Sequence, residues 1–140
     1  MAVKEKGSEV MREILFRGKS VLNEEWFYGD LLTHEFSAKD LPDIRDYTNR
    51  QQSPVYPDTV GQYTGLTDKN GKKIFEGDIV KTSFSGRECY GVVGYGRFNC
   101  SCCDGVYGWT FGDGDIRDYD YYIVIGNIHD NPELLDKERK

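Results

Sequence analysis

Apolar and polar positions alternate along this chain over short stretches, and Gly, Asn, Asp and Ser gather between them. A period of two with frequent turn residues predicts β-strands rather than helices. Residues 12–17 form the first predicted strand, ended by Gly18, Lys19 and Ser20. A second, at 25–32, is aromatic and apolar on both faces, the pattern of a strand covered on both sides. From 36 to 58 the alternation dissolves. Pro42, Pro54 and Pro57 interrupt it and polar residues dominate, so an irregular segment is expected, with at most one helical turn at 37–40. Loops of that length in a compact domain are functional or mobile.

Alternation returns at 60–65. Asn70-Gly71 is a strong hairpin signal and predicts a type I′ turn, with positive φ at both residues. Glu76-Gly77-Asp78 makes the next reversal, feeding a strand at 79–84 in which Val80, Thr82 and Phe84 share a face. Residues 85–88 turn the chain into 90–95, whose glycines point to bulges or close strand approach, as a sharply bent small barrel requires. Segments 97–103 and 106–111 are expected to pair around Asp104-Gly105. The run 121–128 is the most hydrophobic and is placed centrally. Asn131 and Pro132 suit the cap and first position of a closing helical turn.

Strands at such spacing predict a single all-β domain with minor helical turns, a small bent barrel or sandwich. It is expected to span 11–135, behind a flexible leader at 1–10 (with Met11 as an alternative start) and ahead of a charged, fraying tail at 136–140. At 140 residues such a chain can build a core without disulfides or metal. No run approaches the ~20 apolar residues of a membrane-spanning helix, and 1–10 lacks the apolar core of a signal peptide, so a cytoplasmic location is expected. The net charge of −6 opposes binding to a phosphate backbone. Lys69, Lys72 and Lys73 do cluster, but they flank a turn and are expected to be a solvated hairpin tip.

Residues 59–80, TVGQYTGLTDKNGKKIFEGDIV, closely resemble the YopX-like family of bacteriophage and prophage proteins. MREILFR at 11–17 is similar to that family's opening, and VIGNIHDNPELL at 124–135 to its closing motif. The resemblance covers about 11–135 and is weakest at 36–58 and 98–120. It implies a β-rich fold with an SH3-like barrel in the C-terminal half, and a bacterial host cell. It brings no catalytic residue and no ligand. The central motif itself is structural in character: Tyr63, Ile74, Phe75, Ile79 and Val80 are core types, while Asp68, Asn70 and Asp78 are turn formers.

Candidate chemistry is sparse. Cys89, Cys100, Cys102 and Cys103 offer four thiolates to a tetrahedral zinc, but Cys89 stands apart and adjacent strand residues face opposite ways, so ordinary thiols are expected. The acidic stretch 113–120 lacks the spacing of a calcium loop and suits a solvated turn. His34 and His129 are the only imidazoles, and no nucleophile elbow, phosphate loop or dinucleotide fingerprint is present. No catalytic residue and no cofactor is assigned. Aromatics exceed what one small core hides, which makes Trp26, Tyr28, Tyr107, Trp109 and Tyr119 candidate interface residues. The function expected from these features is non-catalytic: self-association into a homo-oligomer, or recognition of a host or phage protein. A nucleic-acid-binding module is the alternative, and an enzyme with an unfamiliar site comes third.

Overall fold

The computed structural model describes residues 13–33, 41–84, 86–100, 103–111, 114–115 and 122–137. Among them the chain folds into two antiparallel sheets with no α-helix. The first sheet holds β1 (Phe16–Lys19), β2 (Trp26–Leu32), β3 (Asp43–Arg45), β4 (Gln52–Pro54), β5 (Gly61–Thr67) and β6 (Lys73–Phe75), in the order β4-β3-β2-β1-β5-β6. The second holds β7 (Asp78–Phe84), β8 (Arg87–Cys100), β9 (Cys103–Phe111), β10 (Gly114–Asp115) and β11 (Ile123–Asn127), in the order β10-β9-β8-β7-β11. The all-β expectation holds in its sandwich form. Both sheets are open, so the C-terminal half does not close into a barrel.

The core lies where the sheets meet. Ile74, Val80, Val93, Tyr122 and Val124 form one buried cluster, against which Leu66 and Trp109 pack. Leu15, Tyr63 and Phe75 form a second. The turn at Glu76 and Gly77 joins the sheets between β6 and β7. Its Gly77 N–H donates to Val93 O at 2.8 Å, and its Gly77 O accepts from Ile128 N at 3.0 Å.

Several local expectations change. β1 runs on through Gly18 and Lys19, because four residues of β2 pair with it in register, Lys19 opposite Trp26. β2 is half-buried rather than covered on both sides, with Tyr28 42% exposed. The stretch expected to be irregular contains β3 and β4, a short hairpin that pairs Leu31 with Ile44 and Ile44 with Ser53. Ile44 and Val55 are fully buried there, and Ser20 and Ser53 share a buried hydroxyl contact of 2.7 Å. β3 comes so close to β2 that a Cβ at Gly29 would overlap the Arg45 carbonyl. Only glycine permits that approach.

The 68–71 reversal is not a type I′ turn. Gly71 is left-handed at φ +83°, but Asn70 is not, and Gly71 N–H closes on Asp68 O at 2.9 Å. This matches a three-residue loop whose last residue alone takes the left-handed conformation. Asp104 and Gly105 lie within β9 rather than at a reversal, and the β8–β9 pairing reaches as far as Cys100 opposite Cys103. Finally, β11 is an edge strand, not a central one. Its apolar residues face the core through Val124, while its outer backbone is covered by the 68–72 turn: Val124 N–H donates to Asp68 Oδ2 at 2.9 Å, and Lys69 N–H to Tyr122 O at 2.9 Å. A covered edge of this kind cannot recruit a further strand.

Candidate functional site

Alternation along β1 sends Leu15, Arg17 and Lys19 to one face, and the register with β2 sets Tyr28 opposite Arg17 and Trp26 opposite Lys19. Across from this face runs the C-terminal end of β11. Between them opens a cleft of about 540 Å3, with Arg17, Trp26, Tyr28, Phe75, Asp78 and Asp130 in its walls. Tyr47 and Thr48, on the β3–β4 turn, line one side, and Lys72 and Lys73 border it from the 68–72 turn.

Arg17 forms the floor. Its side chain is only 6% exposed, and the guanidinium carbon lies 4.9 Å from the Trp26 ring centre and 5.0 Å from that of Phe75. Nη2 pairs with Asp78 Oδ1 at 2.8 Å and donates to Glu76 O at 3.3 Å. Nε is buried and meets no acceptor, the one such side-chain atom among the described residues. Asp78 Oδ2 accepts from Phe75 N at 2.7 Å. Burial lifts the Asp78 carboxyl above its ordinary range, and the Arg17 charge opposes that rise without cancelling it.

At the mouth, Asp130 Oδ1 accepts from Lys19 Nζ at 2.7 Å and Oδ2 accepts from Trp26 Nε1 at 2.7 Å. The Lys19 hydrogen bond holds Asp130 below the ordinary carboxylate range, and Asp130 in turn raises Lys19. His129 lies on Trp26, ring centres 6.0 Å apart, and burial lowers its imidazole below the usual value. Tyr47 is 53% exposed. Lys73 reaches Glu13 at 3.6 Å across the rim.

The structure brings together Trp26 and Tyr28 of the expected interface residues, and parts them from the rest. Trp109 and the backbone of Tyr107 belong to β9, in the other sheet. Trp109 packs on the core and stands edge-on to Tyr95, 5.0 Å between ring centres, and it is Tyr95 that is exposed, at 59%. Tyr119 lies outside the described residues, as do His34 and all of 113–120 except Gly114 and Asp115 of β10. Cys89 is a free thiol opposite Thr82 on β8, while Cys100 is eleven residues further along the same strand. At roughly 3.3 Å per residue that is some 35 Å, so the four cysteines cannot surround one ion. Cys102 lies outside the described residues.

Arg17, Asp78 and Asp130 were not singled out by sequence. The available signal was Arg17 itself, a charge that follows Leu15 on the face that meets the Trp26 and Phe75 rings. Asp78 was hidden by its position in a Gly-Asp turn, and Asp130 by the closing motif, whose partners lie more than a hundred residues back.

Fold and cleft together define an open two-sheet β protein whose charged floor is clamped by aromatic rings. The chain belongs to the YopX family, whose model (YopX protein) matches residues 15–136. No curated protein matches it. Among solved structures, it is similar to protein EF1440 from Enterococcus faecalis, at 27% identity over 89% of this chain and 99% of that one, with a TM-score of 0.47.

Proposed function

We propose that this chain is a non-catalytic recognition protein, and that it grips another protein through the cleft between β1, β2 and β11. One observation carries the reading: Trp26, Tyr28, Tyr47 and Arg17 converge on a single concavity, and Trp, Tyr and Arg are the residues that anchor protein interfaces. Two of these side chains are immobilised in advance, since Arg17 is held by two rings and an ion pair, and Trp26 by Asp130. Preorganised anchors give up little entropy on binding.

Two of the cleft's carboxylates are spent on structure. Asp78 serves Arg17 and the Phe75 amide, and Asp130 serves Lys19 and Trp26. Neither is poised to move a proton, which supports a binding role over catalysis. Most of the cations are paired too, Arg17 with Asp78, Lys19 with Asp130 and Lys73 with Glu13, and Lys72 alone of the cleft's cations makes no ion pair among the described residues. A groove with a single unpaired lysine does not track a phosphate backbone, and the net charge of −6 repels one. The phage or prophage setting and a location in the bacterial cytoplasm rest on the family resemblance. No helix among the described residues is long and apolar enough to cross a membrane.

Site-directed photo-crosslinking in lysogenic cells tests the reading. A benzophenone side chain at Tyr47 should give a discrete adduct, and the same group at exposed Tyr95 should not. Tyr28→Ala should abolish the Tyr47 adduct while leaving the chain folded. Equal labelling from both positions, or none from Tyr47, would overturn it.

A further inference from the structure

Donors and acceptors in the cleft do not balance. Asp78 and Asp130 each meet donors on both oxygens, and Asp46 Oδ1 accepts from Thr48 N and Oγ1 at 2.8 and 2.6 Å. On the donor side, the Nε–H of Arg17 has no acceptor although its side chain is 6% exposed. A buried N–H left unmatched is costly, which makes it a place where an incoming oxygen is favoured. Lys72 stands exposed on the same rim, near enough to act on the Asp78 charge, and makes no ion pair among the described residues. What the Arg17 edge still lacks is an acceptor. Beside it lie the partly exposed rings of Trp26 and Tyr28, surfaces for an apolar or aromatic group.

We infer that the cleft recognises an acidic peptide segment, in which an Asp or Glu carboxylate approaches the guanidinium edge of Arg17 and the rim charge of Lys72 while a neighbouring large apolar side chain covers Trp26 and Tyr28. The inference rests on the protein-binding reading above and names the chemistry of its partner. A volume of about 540 Å3 is that of a site enclosing a drug-sized group, which suits a few residues of extended chain rather than a flat protein face. Exposed Tyr47, Thr48 and Asp130 line the cleft, which is open to solvent, so an extended segment can lie across it and offer a side-chain carboxylate.

Retention of peptide libraries on the immobilised full chain tests this. Three libraries of N-acetylated hexapeptides are compared: a fixed central Phe-Asp with an amidated end, a fixed Phe-Asn with an amidated end, and Phe-Asn with a free C-terminal carboxylate. The Phe-Asp library should be retained at least tenfold over Phe-Asn amide. Bound peptides should quench Trp26, read in a Trp109→Phe chain where it is the sole tryptophan. Arg17→Lys, which keeps the charge facing Asp78 but loses the planar fork, should weaken retention about tenfold. Should that variant fail to fold, Lys72→Gln on the exposed rim should still weaken it roughly two- to fivefold. Preferential retention of the free-carboxylate library overturns the side-chain source. Equal retention of all three overturns the anion while leaving a peptide-binding cleft, and retention of none removes both.

Discussion

Arg17 is buried beside a carboxylate that burial also disfavours, and each tolerates the other's charge only while both remain. Replacing the cation alone leaves Asp78 charged against Phe75 and without a counter-ion. Arg17→Met should therefore cost about 3–5 kcal/mol in urea unfolding, whereas Arg17→Met combined with Asp78→Leu should recover much of that loss. Asp130 provides the pH signature. Its carboxyl is held down by Lys19, so the native state releases its proton more readily than the unfolded chain does. That contribution is complete above the unfolded value near 3.9 and disappears as pH falls through the lower folded value. Asp130→Asn should flatten the acid side of the stability curve, measured by thermal melts across that range. Asp78, with its raised value, works the other way: where it titrates, stability falls as pH rises.

Between strands, the decisive contact is one carboxylate that reaches across sheets. Asp68 Oδ1 accepts the Asn70 and Lys72 amides of its own turn at 2.9 Å each, and Oδ2 accepts the Val124 amide of β11. Asp68→Ala leaves those donors unmatched, and should destabilise by roughly 3 kcal/mol. Hydrogen exchange should show Val124 losing protection sooner than amides at the β7–β8 pairing. Here the limits of sequence become concrete. The strands, the hairpin at 68–72 and the closing 3-10 helix (Pro132–Lys137) were legible because alternation and turn chemistry are local. The β3–β4 hairpin was not, since its buried residues, Ile44, Ser53 and Val55, are too few and too mixed to show a period. β11 looked central because an apolar run reports burial without reporting what buries it. Its cover is a turn 56 residues away, which no local pattern encodes. The cleft was half legible: Trp26 and Tyr28 stood out as surplus aromatics, but Arg17, Asp78 and Asp130 acquire meaning only when β1 meets the 130 turn.

For the molecule as a whole, charge decides which partners can approach. With 24 acidic against 18 basic residues, and the cleft's cations largely neutralised, the field favours neither DNA nor RNA. Retention on a DNA or RNA column at low salt should be negligible and should not change as salt is raised. Association between copies is a separate question that light scattering answers. A mass of one chain at high protein concentration would remove the homo-oligomer expectation and leave the cleft to a different partner.

β8 is one long strand with two successive neighbours. Arg87 to Val92 pair with β7, whereas from Val93 onward its partner is β9, and Val93 itself is the fully buried point of exchange. Beyond the short β10 pairing at Phe111 and Thr110, the outer pairs from Gly96 to Cys100 lie only against β9 among the described residues, and two-stranded pairs of that kind are marginal in isolation. Trypsin acting briefly on the native chain should cut at Arg97, which lies in this part of β8, before it opens either sheet. The protein would then behave as a firm block carrying a soft boom, able to bend in use without loosening its grip elsewhere.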